Sequence, residues 1–236
     1  MSIGELGRVT TKLLRLVSSE SQTCVKQTRS PSAKELAASI RGGVCPDDHS
    51  FDRFLPYNLQ IVSREHWTPL CVAMRVARWL EELEIRSVVD LGSGSGKFCV
   101  ATALASDCEF IGVEQRAHLI DAAEDLADVF GVGDKVRFVH ATLGEALIPE
   151  ADAYYLFNPF GENVTEVFGR LDDNVELSVE RYKRDIATMT GFLDELPIGA
   201  YVIKYNGFGG NIPRAYKPIR VDREMPCVLR IWRKMY

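Results

Sequence analysis

An α/β fold, with a mostly parallel sheet covered by helices on both faces and closed by an antiparallel hairpin, is what this 236-residue sequence predicts. Three observations carry the expectation. From residue 86 onward, short β-branched runs alternate with longer segments of helical periodicity, the pattern of strands joined by helical crossovers. A glycine-rich stretch, VVDLGSGSGK at 88–97, follows the first of these runs, at the strand end where such sheets hold ligands. Near the end of the sequence two strand-like pieces lie so close together that they pair most easily as antiparallel neighbours, since a parallel crossover needs about a dozen residues or more.

Residues 1–60 read as an N-terminal helical extension: an amphipathic stretch near 5–19, a polar segment at 20–32, a short helical pattern at 33–40 and a turn at RGGVCPDD. Residues 61–236 read as the main domain. Its first helix lies in HWTPLCVAMRVARWLEELE, with Thr68 as the cap residue, Pro69 at the first helical position, and Leu70, Ala73, Met74, Ala77, Leu80 and Leu83 on one face. RSVVDL is then a strand, KFCVATALAS a helix and EFIGVE a strand. Residues 116–130 form a helix that turns Leu119, Ala123, Leu126 and Phe130 inward. VRFVHA and AYYLF are strands, separated by a short helical turn at 143–148. A helix over 176–196, with Tyr182, Ile186, Met189, Leu193 and Leu196 in register, is closed by Pro197 and Gly199. The strand AYVIKY, the loop NGFGGNIPRAY, and the strands KPIRV and CVLRIWRKM around Pro226 complete the sheet.

Composition narrows the function. A net charge of −5, from 28 basic and 33 acidic residues, gives no electrostatic footprint for a nucleic-acid backbone, although Arg214, Lys217 and Arg220 leave room for a small basic groove. Six cysteines without a C-x-x-C pair and four scattered histidines suggest neither a metal site nor a disulfide framework, which fits reduced thiols in a cytoplasm. Cys99 and Cys108 read as small core residues, and the acidic run at 121–128 as a solvated helix face. With no leader-like apolar segment at its start and no run of eighteen apolar residues, the chain reads as a soluble, cytoplasmic protein without a membrane partner. Oligomeric state stays open.

The glycine loop then selects a ligand. A phosphate-cradling G-x-x-x-x-G-K-[ST] fails twice, because Leu91 stands five residues before Gly96 and Phe98 follows Lys97. A dinucleotide G-x-G-x-x-G fails once, its third glycine arriving one residue early. Glu114 ends the second strand twenty-two residues after Gly92, where an acidic side chain accepts both hydroxyls of a ribose. The ligand is therefore expected to be a nucleoside.

Asp90-Leu-Gly-Ser-Gly-Ser-Gly96, Glu114 and the terminal hairpin together resemble the class I S-adenosylmethionine-dependent methyltransferases, over roughly residues 61–236. The resemblance implies a Rossmann-like, mostly parallel seven-stranded sheet and S-adenosylmethionine as cofactor. It places Gly92, Ser93, Gly94 and Gly96 beneath the methionine portion, Asp90 at the loop or the amino group, and Glu114 at the ribose, with Gln115 a further cofactor-binding candidate. Thr142 stands where the family often carries an acid for the adenine amine.

YYLFNPFGEN resembles the Asn-Pro-Pro-Tyr/Phe motif of amino- and amide-methylating members, with one proline fewer. Asn158, Pro159 and Phe160 are thus candidates to meet the methyl acceptor, Asn158 also to touch the cofactor; the same residues read equally as an Asn-Pro turn with Phe160 in the core. HWTP and GFGGNIP are similar to stretches of small, functionally undefined bacterial members. Thr68 at a helix N-terminus suits a carboxylate such as the cofactor's own, and His66 and Glu162 are candidate bases; alternatively Trp67 packs as a hydrophobic staple and His66 is solvated. The loop GFGGNIP reads as an acceptor-pocket wall or as the return to the hairpin.

The implied activity is methyl transfer to a small-molecule or protein acceptor, to nitrogen in preference to oxygen. The main alternative is a catalytically inactive S-adenosylmethionine-binding interaction or sensor module. An aminopropyltransferase ranks lower because Asn158 replaces its acidic gatekeeper, and an NAD-dependent oxidoreductase because of the glycine spacing.

Overall fold

The computed structural model describes residues 29–164, 170–172 and 174–236. The expected amphipathic stretch at 5–19 lies outside the described residues. Pro31–Tyr236 forms one compact unit.

Among the described residues five helices precede the first strand: α1 (Ala33–Arg41), α2 (Asp48–Asp52), α3 (Tyr57–Ile61), α4 (Ser63–His66) and α5 (Leu70–Glu82). α1 starts at a capping box in which the Glu35 amide donates to Ser32 Oγ and the Ser32 amide donates back to the Glu35 carboxylate. Then follow β1 (Ser87–Leu91), α6 (Lys97–Ala105), β2 (Glu109–Glu114), α7 (Ala117–Phe130), β3 (Val136–His140), β4 (Ala153–Phe157), a 3₁₀ turn at Gly161–Val164, α8 (Val179–Glu195), β5 (Tyr201–Tyr205), β6 (Tyr216–Asp222) and β7 (Leu229–Lys234).

The seven strands form one sheet in the order β3-β2-β1-β4-β5-β7-β6. All neighbours are parallel except β5 with β7 and β7 with β6. The expected hairpin is therefore present, and its second strand is inserted between β5 and its own hairpin partner. Chain order runs outward from β1 to β3 and then returns to β4 on the other side, so the carboxyl ends of β1 and β4 border the crevice where doubly wound sheets bind ligands.

Alternation along each strand divides the core into two. Val88, Phe110, Tyr155, Ile203 and Ile231 face a cluster that includes α5, α6, α7 and the buried Leu36, Ile40, Phe51, Leu55 and Leu59 of the preceding helices. Val89, Ile111, Tyr154, Leu156 and Val202 face the other way, onto Met189 and Leu193 of α8. Apolar residues of 33–60 thus share the core of residues 61–236.

Two local expectations are corrected. The helix after His66 begins at Leu70, with Pro69 as its cap residue; Thr68 does not cap it, and the Leu70 amide donates instead to Asp48 Oδ1 at 2.9 Å. Residues 143–148 are no helical turn but a tight bend with a bridge between Leu143 and Ala146, because Gly144 takes φ +88° and a left-handed residue ends helical growth. No helix among the described residues is long and apolar enough to cross a membrane.

Candidate functional site

The carboxyl ends of β1, β2 and β4 open into a cleft of about 1190 Å³, open solvent included. Gly92 and Gly94 form its floor, and both have positive φ, +82° and +54°. Neither could carry a side chain: a Cβ on Gly92 would lie 3.1 Å from Pro159 Cβ, and one on Gly94 would run into the Trp67 ring. Gly96 serves packing rather than the cleft, since a Cβ there would sit 2.7 Å from both Ala123 Cβ and Phe138 Cζ.

Glu114 ends β2 inside this cleft and is 6% exposed. Its Oε2 accepts the Gly94 amide at 3.1 Å and its Oε1 the Arg116 amide at 3.0 Å, so the carboxylate braces the glycine loop. Burial pushes the Glu114 carboxyl above its ordinary value, and the two backbone donors hold the rise in check. Each carboxylate oxygen has two lone pairs, which leaves acceptor capacity toward the cleft. Gln115 and Thr142 line the same space; the Gln115 side chain accepts from Arg181 at 3.3 Å.

Asn158, Pro159 and Phe160 supply the wall after β4. Asn158 takes φ +43°, a left-handed conformation that asparagine tolerates better than most residues, and its amide donates to Gly207 O at 2.8 Å. Its side chain is exposed and folds over Gly161, where a Cβ would collide with it. The hydrogen bond to Gly207 ties the Gly207–Pro213 loop to the end of β4, while Phe208 itself is fully buried. His66 lines the cleft from the opposite side.

Beside the cleft is a smaller cavity of about 240 Å³, and it takes the remaining candidates, Thr68, Asp90 and Ser93. Thr68 Oγ1 and the Tyr155 hydroxyl share a hydrogen bond of 2.9 Å, and Tyr155 stacks on Phe98 at 3.6 Å between ring centres. Asp90 is 4% exposed, and burial pushes its carboxyl up to about 7; the Cys99 thiol, donating at 3.5 Å, opposes the rise, and the charge of Glu114 adds to it. Ser93 Oγ is buried with no hydrogen-bond partner among the described residues.

Three features were not read from sequence. Arg116, its side chain 5% exposed, pairs with Glu162 at 2.9 Å and Asp172 at 3.0 Å at the cleft edge. Arg181 likewise pairs with Asp185 at 2.8 Å. Glu162 also accepts the Leu171 amide at 2.6 Å, so the carboxylate taken as a candidate base is committed to holding the segment after β4. Lys97 is buried against residues of α2 and α4. No local motif announces the partners of Arg116 and Lys97, because they are 34–56 residues distant in sequence.

Neither a protein-family model nor a curated protein matches this chain. Solved structures do. Mitomycin 7-O-methyltransferase MmcR matches with a TM-score of 0.52 and 14% identity, over 96% of this chain and 67% of its own. A Klebsiella pneumoniae protein provisionally designated an O-methyltransferase gives 0.51 and 14%, over 87% of this chain and 97% of that one. The chain has the class I methyltransferase fold. At these identities the likeness is one of fold. An RNA methyltransferase from Salinibacter ruber, solved with S-adenosyl-L-homocysteine, shares 24% identity over 71% of this chain and 93% of its own, with a TM-score of 0.49. Within the methyltransferase fold the cleft described above occupies the crevice between the outward-running strands β1 to β3 and the returning strand β4.

Proposed function

We propose that this chain is an S-adenosylmethionine-dependent methyltransferase acting on a nitrogen of a small-molecule or protein acceptor. The observation that supports it best is convergence: the glycine floor after β1, Glu114 after β2 and Asn158–Phe160 after β4 line one cleft. The residues suit the cofactor. Gly92 and Gly94 hold the loop in a bare, left-handed turn where a Cβ would press on Pro159 or Trp67, and Glu114 keeps lone pairs for ribose hydroxyls. Gln115 lines the cleft next to Glu114, and Thr142 takes the adenine side. Asp90, the orphaned Ser93 Oγ and Thr68 line the adjoining cavity, a polar setting for the amino-acid end. Gly96 supports the loop from behind.

When bound, the cofactor supplies a methyl group on a positively charged sulfur. What the chain contributes is alignment, which can lower a barrier by about 7–11 kcal/mol when two reactants are well oriented. The Asn158 side-chain oxygen and the Pro159 carbonyl accept hydrogen bonds from an acceptor N–H and aim its lone pair, while Phe160 packs behind them. A neutral amine needs no prior deprotonation; its proton leaves after transfer, to His66 or to water. An oxygen acceptor would need a base first, and of the two candidates Glu162 is already held by Arg116 and the Leu171 amide, which leaves that role to His66. This favours nitrogen. Net charge of −5 weighs against nucleic acid.

Calorimetric titration with S-adenosylhomocysteine, beside NAD and repeated on Glu114→Ala, tests the cofactor. Binding of the homocysteine nucleoside alone, weakened by the substitution, is expected; preference for NAD would overturn the reading. Labelled methyl transfer into cell extract then separates an enzyme from an inactive binding module. Asn158→Ala should bind the nucleoside normally and lose transfer.

A further inference from the structure

We infer that the layer preceding β1 is one half of the cofactor site, with Trp67 as its contact residue and Lys97 as the positioning residue that holds this layer on the glycine loop. The inference rests on the S-adenosylmethionine reading above. It adds a function for Asp48, Asp52, Ser63 and Trp67, to which no role in the site has so far been given.

Trp67 lies between α4 and α5, is 6% exposed, and lines both the cleft and the smaller cavity. Its indole N–H donates to Leu59 O at 3.0 Å, which fixes the plane of the ring. The ring fills the space a Gly94 side chain would take, so the loop and the indole are shaped to each other. Trp67 thus belongs to the core and also lines both cavities beside the glycine turn.

Lys97 follows Gly96 directly and opens α6, at the root of the same loop. Only 2% of its side chain is exposed, and lysine is almost never buried so deeply unless paired. Its ammonium contacts Asp48 Oδ1 at 2.6 Å and Asp52 Oδ1 at 2.7 Å, and it donates to Ser63 Oγ at 3.3 Å. Ser63 Oγ in turn donates to Asp52 Oδ2 at 2.5 Å. Asp48 Oδ1 accepts the Leu70 amide as well, so one carboxylate joins α2, the start of α5 and the start of α6. A buried ion cluster adds little net stability over apolar side chains of the same shape, and its best-attested use is to fix one arrangement among several. The arrangement fixed here is the position of Trp67 against Gly94.

The test uses the full chain and titrates S-adenosylhomocysteine by calorimetry and by intrinsic fluorescence. Of the tryptophans at 67, 79 and 232, Trp67 alone lines the cleft, so the wild type should change its emission on binding. Trp67→Phe should lose that change and bind at least tenfold more weakly, while the core variant Trp79→Phe keeps both. A charge-reduced double variant, Lys97→Met with Asp52→Asn, should also bind at least tenfold more weakly with a cooperative thermal transition retained; Lys97→Arg should restore affinity to within about threefold. Trp67→Phe that keeps the full emission change and wild-type affinity overturns the contact role, and a folded double variant of unchanged affinity overturns the positioning role. Should the double variant not fold, Lys97→Arg decides: wild-type affinity supports the charge clamp, and loss of binding in a folded Lys97→Arg overturns it. A wild type that binds no S-adenosylhomocysteine refutes the cofactor reading instead.

Discussion

Replacing Asp90 by asparagine should stabilise the protein at alkaline pH and leave it unchanged in acid. Asp90 ionises near 7 in the fold, against an ordinary 3.8, chiefly because its carboxyl is buried. The difference of roughly three units corresponds to about 4 kcal/mol at about 1.4 kcal/mol per unit. The sign follows from proton counts. Between the two values the folded chain holds a proton that the unfolded chain has released, so stability is greatest below about pH 4, falls as pH rises toward 7, and levels off above it. The amide of the Asp90→Asn variant has no such proton to lose and can still accept from the Cys99 thiol. Urea unfolding of both proteins at pH 4.5, 5.5, 6.5 and 8 measures the effect as a difference, in which other titrating groups cancel. The advantage of Asp90→Asn should grow from about 1 kcal/mol at pH 4.5 to about 4 kcal/mol at pH 8. Parallel pH profiles would show that Asp90 is not a desolvated carboxyl and would remove the argument. If the cofactor's cationic amino group sits beside Asp90, its affinity should also increase from pH 5.5 to 8, with proton uptake from the protein by buffer, and this dependence should vanish in the variant.

Three further outcomes are expected. Gly96→Ala must press a methyl group into Ala123 and Phe138 and hold alanine at φ +72°, so it should lose about 1–3 kcal/mol in urea denaturation; a loss below about 0.5 kcal/mol would contradict the packing. Glu114→Gln keeps the shape but weakens acceptance of ribose hydroxyls, and S-adenosylhomocysteine should bind about tenfold more weakly, or about 1.4 kcal/mol, by calorimetry. Unchanged affinity would remove Glu114 from the ribose. Arg116→Met leaves the carboxylates of Glu162 and Asp172 without their cation and should cost about 3–5 kcal/mol in thermal or urea unfolding, partly restored by adding Asp172→Asn.

What could be read from sequence was what local periodicity and spacing encode. EFIGVE and AYYLF became strands with the expected ends, and the separation of Gly92 from Glu114 placed both in one cleft. Thr68 shows where local rules fail. It had the residue type and position of a helix cap, yet its hydroxyl turned to Tyr155, eighty-seven residues away, and Asp48 took over the helix end. Lys97 was legible only as the lysine of a failed phosphate-loop pattern, because the acids that bury it lie on one helix, α2, about fifty residues earlier. Glu162 looked like a base while its partner Arg116 was invisible as such. In each case a side chain has several chemically equivalent partners along the sequence, and only the folded arrangement selects one.

The insertion of β7 between β5 and β6 has a consequence for biosynthesis. A chain emerging from the ribosome can pair β1 with β2 and β3, and then β4 with β5, as each is made. β6 has no neighbour at that stage: the strand it bonds to, Leu229–Lys234, is translated after it. Until then Ile203, on β5, lacks its Ile231 partner, and the open edge of β5 can accept strands from other chains. The sheet therefore cannot be completed before β7 has been made, and a nascent chain stalled before residue 229 should be the form that seeks chaperones.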